Sequence, residues 1–308
     1  MSDFIIIDTD PGIDDSLAFV YAYARNLPVK NITTVYGNST LSNVTRNAGF
    51  IIKSLGSEWS LHKGRARPLT GKARLAESHG NTGLGDTVPK DSEILFPSTI
   101  SAEKLFDALA LSDQMVTLLC LGPLTNIAYS LDKNPDLIKR ISRIIIMGGA
   151  FTENGNVTAY AEFNVYNDPS AFRKVIDYAY QNGVDTTVIP VELCRQILLT
   201  DHDLNNLEGN SLLLNVRQIV EPFIRYYVDD ATYGGYEGAV LYDVLVPLYC
   251  EFPSLFEVVR CRISVEERIG EYYGKTIFKI DAASSVKICT TIQVNEAKET
   301  ILRALSKH

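Results

Sequence analysis

The sequence predicts a single α/β domain built on an open, mainly parallel central sheet flanked by helices and spanning residues 1–308. Three observations carry that expectation. Short apolar runs alternate with helix-length stretches along the chain. The runs are continuously apolar rather than alternating, as strands covered on both faces require. Polar clusters follow several of these runs, at the strand ends where open α/β sheets bind ligands.

The elements follow in order. Phe4–Ile7 reads as the first strand, with a helix from about Asp14 to Ala24. Ile32–Tyr36 is the second strand, followed by a helix over Ser42–Leu55. Met115–Leu121 is a strand whose helix starts within Pro123–Asn126. Ile144–Met147 is a strand that leads through a long polar loop to a helix over Pro169–Tyr180. Thr187–Val191 and Val286–Val294 complete the strands, and Ala297–Leu305 closes the chain as a helix. No repeat, low-complexity tract or linker suggests a second domain.

Composition narrows the function. The chain is 46% hydrophobic and 21% charged, as ordinary globular domains are. A net charge of −8 argues against a nucleic-acid surface. No 18-residue apolar run suggests a membrane span. The start, MSDFIIID, carries an acid where a secretion signal needs basic residues. The five cysteines are scattered and form no CxxC pair, which fits reduced thiols and a cytoplasmic location.

The informative segment is DTDPGIDDS, residues 8–16, directly after the first strand. Asp8, Asp10, Asp14 and Asp15 crowd there without a Lys, Arg or His. Asp10-Pro11-Gly12 is good turn chemistry, and Asp14 or Asp15 suits a helix N-terminus. Taken together, the acids ask for more. Ionised neighbours about 4 Å apart repel by ~4 kcal/mol at a surface-like dielectric. One helix N-terminus offsets only ~0.3–1 kcal/mol per charge. A cation or protonation must supply the rest, and oxygen-only donors favour Ca²⁺ or Mg²⁺. Asp8, nearest the strand, is expected to bond neighbouring backbone instead. Asp243 is a lone acid in the apolar stretch Ala239–Tyr249, where an unpaired carboxylate is rare. It reads equally as a helix N-cap or as a further ligand.

These residues resemble the calcium-dependent nucleoside hydrolases of the inosine–uridine-preferring type. DTDPGIDDSLA looks like that family's N-terminal motif. VYGN (residues 35–38), HGNTGLG (79–85), LGPLTNIA (121–128), IIIMGGA (144–150) and GNVTAYAEFNVYNDPSA (155–171) follow in the family's order. The resemblance implies one open domain with a Rossmann-like core. It implies Ca²⁺ held by Asp10, Asp15, the Leu121 carbonyl and Asp243. It implies hydrolysis of the N-glycosidic bond of ribonucleosides, with Asp10 as general base for a calcium-bound water. Asp14, Asn164 and Asp243 would hold the ribose 2′- and 3′-hydroxyls, and Asn156 and Glu162 the 5′-hydroxyl. Asn38, Met147 and Phe163 would line the sugar pocket, and His79 the base side. Relatives of this kind are commonly dimers or tetramers, so a homo-oligomer acting on a small ribonucleoside is expected.

The sequence departs from the family in one place. Many members carry a His before the last metal-binding Asp, and here that position is Tyr242. A tyrosine is a poorer acid near neutral pH, though it can stack on a base or donate a hydrogen bond. Tyr242 is therefore assigned the leaving-group contact, and base preference stays open, with the pyrimidine or broad inosine/uridine type favoured. Tyr226, Tyr227 and Tyr233 upstream read equally as base contacts or packing residues. A non-catalytic nucleoside or ribose binder is the alternative. A haloacid-dehalogenase-type phosphatase fits poorly, because Gly12 stands where that family expects Thr or Val.

Overall fold

The computed structural model describes residues 3–76, 78–85, 87–207, 224, 228 and 236–306. Its centre is a nine-stranded sheet in the order β10-β9-β11-β6-β5-β4-β1-β2-β3. The strands are β1 (Phe4–Thr9), β2 (Val29–Thr34), β3 (Ser60–Lys63), β4 (Val116–Cys120), β5 (Ile141–Met147) and β6 (Asp185–Ile189). A two-stranded sheet, β7 (Leu198–Leu199) with β8 (Ala239–Val240), lies apart from them. β9 (Phe256–Val265), β10 (Thr276–Ile280) and β11 (Val286–Ile292) complete the large sheet. From β3 across to β11 every pairing is parallel, while β9 runs antiparallel to both β11 and β10. The predicted single α/β domain with a mainly parallel open sheet is what folds.

The continuous apolar strands have the predicted cause. Ile5 and Ile7 face one core, with helices α1 (Ile13–Ala24), α2 (Leu41–Leu55) and the C-terminal helix Val294–Leu305. Phe4 and Ile6 face the other, with α3 (Ala102–Ala110), α4 (Thr125–Lys133) and, beyond the short α5 (Phe163–Asn167), α6 (Pro169–Asn182). Ile145 and Met147 against Ile144 and Ile146 repeat the pattern in β5. The chain moves outward through β1, β2 and β3 and returns to the far side of β1 as β4. That reversal makes a crevice at the carboxyl ends of β1 and β4.

Three features differ from the sequence reading. β2 ends at Thr34, so Val35 and Tyr36 belong to the following loop. Thr34 pairs with the last residue of each neighbour, Thr9 and Lys63, and beyond it single bonds remain, from the Val35 N–H to the Thr9 carbonyl and from the Tyr36 N–H to the Arg65 carbonyl. β3 and α3 were not anticipated. Nor were β9 and β10, whose burial is mixed and whose apolar positions are interrupted by Glu257, Arg260 and Arg262, so no continuous run marks them. Among the described residues, no helix is long and apolar enough to cross a membrane.

Candidate active site

The acids are positioned by the turn that joins β1 to α1. Gly12 is the N-cap of α1, and its N–H donates to Asp15 Oδ2 at 2.8 Å. Asp15 also accepts from Thr9 Oγ1 and, at 3.0 Å, from Asn38 Nδ2. Asp14 and Asp15 occupy the first turn of α1, where the helix dipole favours negative charge. Asp10 Oδ2 accepts the Asn38 N–H at 2.7 Å, while Asp10 Oδ1 is buried with no partner. Glycine makes that placement possible: a Cβ at Gly37 would lie 1.9 Å from Asp10 Oδ2, and one at Gly122 would lie 2.5 Å from Oδ1. Gly37→Ala is therefore expected to push the carboxylate aside and lower kcat by about 10²-fold, as misplacement on the ångström scale does. Steady-state rates checked against a matched melting curve test this.

Asp243 reaches the same place from the far end of the chain. Oxygens of Asp14, Asp15 and Asp243 lie within 4.8 Å of one another, and all three residues are buried. Asp243 is not a helix cap, since the helix Leu245–Glu251 starts from Val244 without a side-chain cap. Asp10 falls outside this triplet, although its charge acts on Asp243 and is acted on by Asp14 and Asp15. Asp8 does not bond to neighbouring backbone, as the sequence reading expected. It accepts from Thr33 Oγ1 at 2.5 Å and Asn126 Nδ2 at 2.7 Å, because the side chains of β2 and α4 reach it first.

A cavity opens above these acids. Asp14, Asn38, His79, Leu121, Met147, Asn156, Glu162, Phe163, Asn164, Tyr242 and Asp243 all line it. Asp10 and Asp15 lie behind that lining. Tyr226, Tyr227 and Tyr233 lie outside the described residues. Asn164 Nδ2 donates to the Leu121 carbonyl at 2.7 Å and the Met147 carbonyl at 3.2 Å, which joins the ends of β4 and β5. Glu162 caps α5 by accepting from the N–H groups of Asn164 and Val165, and it also accepts from Gly149. Asn156 Oδ1 accepts from the Phe163 N–H at 2.8 Å, so its amide N–H₂ remains for another acceptor. His79 Nδ1 accepts from the Ile13 N–H at 3.1 Å, which assigns the ring proton to Nε2.

The electrostatics follow from burial without a counter-charge. Burial raises Asp14 and Asp15 to about 6 and Asp8 and Glu162 to about 7. It raises Asp10 and Asp243 well above the usual carboxylate range, with neighbouring acids adding to the effect. His79 Nε2 is 3.8 Å from Asp14, close enough to suggest an ion pair. Burial nevertheless lowers the imidazole to about 4, so near neutral pH His79 is uncharged and neutralises none of the acids. The residues fit a hard divalent cation. Clustered oxygens, an unpartnered Asp10 Oδ1 and the nearby Leu121 carbonyl match such an ion's preference.

The inosine-uridine preferring nucleoside hydrolase family model matches residues 5–299. The chain belongs to that family. A pyrimidine-specific ribonucleoside hydrolase, RihA of Shewanella baltica (strain OS185), is 34% identical over 284 residues, 90% of this chain and 86% of that one. The solved structure of a plant nucleoside hydrolase, the PpNRh1 enzyme, superposes with a TM-score of 0.90 at 28% identity and covers 99% of both chains. A purine-preferring ribonucleoside hydrolase from Gardnerella vaginalis gives 0.88 at 26% identity, over 99% of this chain and 98% of that one.

In this nucleoside hydrolase, sequence reasoning missed Arg74, Leu75, Ala76, Ser78 and Val157, which also line the cavity. The first four run into the HGNTGLG motif, but no residue type among them signals a site. Only the folded path of the loop brings them to the pocket. Asn126 was inside a recognised motif, and its hold on Asp8 became visible only once β1 and α4 were juxtaposed.

Proposed function

We propose that this nucleoside hydrolase cleaves the N-glycosidic bond of ribonucleosides to ribose and free nucleobase, with calcium as its metal. The observation that carries the reading is the buried acid cluster, supplied by segments more than 200 residues apart and without a Lys or Arg partner among the described residues, beneath a polar cavity. Asp10, Asp15, Asp243 and the Leu121 carbonyl would hold the ion. When bound, calcium would supply fixed positive charge that orients water and the sugar diol.

The chain's own residues do the rest. Asp10, with one oxygen fixed by Asn38 and the other unpartnered, takes the proton of the attacking water. Asp14, Asn164 and Asp243 position the 2′- and 3′-hydroxyls. Asn156 and Glu162 receive the 5′-hydroxyl, through the free amide of Asn156 and the acceptor oxygens of Glu162. Asn38, Met147 and Phe163 close around the sugar. As the bond breaks, positive charge grows on the ribosyl ring, and the surrounding carboxylates stabilise it. His79 and Tyr242 face the departing base; His79, neutral and donating through Nε2, acts by hydrogen bonding rather than as an imidazolium acid.

Pyrimidine ribonucleosides are the favoured substrates, with the broad inosine/uridine type next; the likeness to RihA supports this order. A cytoplasmic homo-oligomer, dimer or tetramer, with one domain over residues 1–308, belongs to the same proposal; five free cysteines support the reducing compartment. Initial rates on uridine, cytidine, inosine, adenosine and their 2′-deoxy forms test it. We expect uridine to be cleaved and 2′-deoxyuridine to be about 10⁴-fold slower, since a site built around a hydroxyl rejects its absence. Equal rates on the two would remove the diol from the account, and no cleavage of any ribonucleoside would remove the reaction.

A further inference from the structure

A second cavity, about 340 Å³, has Lys63, Arg65, Arg67, Ser101, Asn126 and Tyr129 among its lining residues and shares none with the active-site cavity. Arg65 is its fixed point. The Arg65 N–H donates to Asn126 Oδ1 at 2.8 Å, and its carbonyl accepts from the Tyr36 N–H at 3.1 Å. The backbone packs closely there, since a Cβ on the preceding Gly64 would lie 2.3 Å from both Asn126 Oδ1 and the Thr34 carbonyl. The guanidinium lies 3.8 Å from the centre of the Tyr129 ring, so one of its faces is stacked and its donor edge is left over.

That edge has nothing to bond. Arg65 Nε is buried with no partner. Among the described residues, the Arg65 side chain makes no hydrogen bond and no ion pair, and Lys63 and Arg67 have no carboxylate partner either. Arg140 and Arg143 also have an unpartnered Nε, but their other nitrogens reach Asp113 and the carbonyls of Tyr249 and Cys250. The acid lining the cavity, Glu103, is engaged by Lys133 at 2.6 Å. Ser101 caps α3, so the positive end of that helix borders the same space. Arg65 is half-buried and Lys63 and Arg67 are exposed, and three cations without a carboxylate partner that line one cavity, in a chain of net charge −8, favour an anion there.

We propose that this cavity binds a phosphoryl group, either free phosphate or a phosphate monoester. Arg65 forms the stacked fork, Lys63 and Arg67 supply the flanking charge, and the start of α3 adds N–H donors. Two negative charges and a tetrahedral array of acceptors match this set better than a single carboxylate does. The site is independent of the hydrolase reaction, and Asn126 is the wall between them: its carbonyl oxygen holds Arg65 and its amide holds Asp8.

Calorimetric titration of the calcium-loaded protein tests the proposal, at constant ionic strength and with calcium kept stoichiometric. Inorganic phosphate, phenyl phosphate and acetate are the probes. We expect one saturable site per chain for a phosphate probe, weakened about tenfold or more in Arg65→Met and in the Lys63→Met/Arg67→Met double variant. Melting curves and uridine KM values should match wild type in both. Binding of inorganic phosphate identifies the free ion as sufficient; binding of phenyl phosphate alone identifies an ester. Saturable binding that survives in both variants, equal binding of acetate, or no saturable binding of either phosphate overturns the proposal. The double variant leaves the Arg65–Tyr129 stack intact, so a folding failure of Arg65→Met does not remove the test.

Discussion

Asp10→Asn should lower kcat for uridine by about 10²–10⁴-fold, the usual worth of a positioned general base, with little change in the melting temperature of the chelator-stripped protein. The structure explains why the two readouts should separate. One Asp10 oxygen is structural, accepting the Asn38 N–H, and an asparagine carbonyl can accept that bond equally well. The other oxygen has no partner in the protein, so its loss removes no internal contact. An amide N–H₂ in its place neither takes a proton nor carries charge toward a developing cation. A residual rate within about threefold of wild type would transfer the proton to another group and contradict the assigned role.

Removal of divalent ions should destabilise the fold, and more so as pH rises above the ordinary carboxylate range. The sign follows from the raised carboxylates. A group whose folded pKa lies above its unfolded value contributes stability at low pH that is lost as pH rises through the folded value. Without the ion, Asp14 and Asp15 lose theirs as pH passes about 6. A shift of two pH units corresponds to ~3 kcal/mol for each group taken alone, and the groups are coupled, so they do not simply add. Melting temperature in a chelator should therefore fall between about pH 5 and pH 8. Calcium should restore most of the loss at the upper end and little at the lower, because protonated acids neither repel one another nor bind the ion. A chelator effect independent of pH would place the stabilising ion elsewhere.

The sequence made the central fold and the acid loop visible for a physical reason. β1 is a short continuous apolar run because it is covered on both faces, and the polar cluster after it marks the end of that cover. Asp243 stood out because an acid amid Ala239–Tyr249 needs a reason, and the reason is convergence with Asp14 and Asp15. What stayed hidden depends on tertiary placement. β9 and β10 lie at the sheet edge with mixed burial, so their pattern is diluted. Arg74 through Ser78 become pocket residues only through the path of their loop. The Asp8 partners Thr33 and Asn126 come from separate elements that local periodicity cannot bring together.

The most direct test is a calcium titration of chelator-stripped protein at about pH 6.5, read by heat and by proton release together. Asp15, raised to about 6, still holds a proton there in part of the molecules when no ion is bound, burial and neighbouring acids raise Asp10 and Asp243 well above the usual carboxylate range, and coordination must expel the protons these acids hold. The account predicts one ion per chain, bound with proton release, and loss of both signals in Asp15→Asn and Asp243→Asn. Calcium binding without proton release, or binding unchanged in both variants, would mean that these acids do not share an ion.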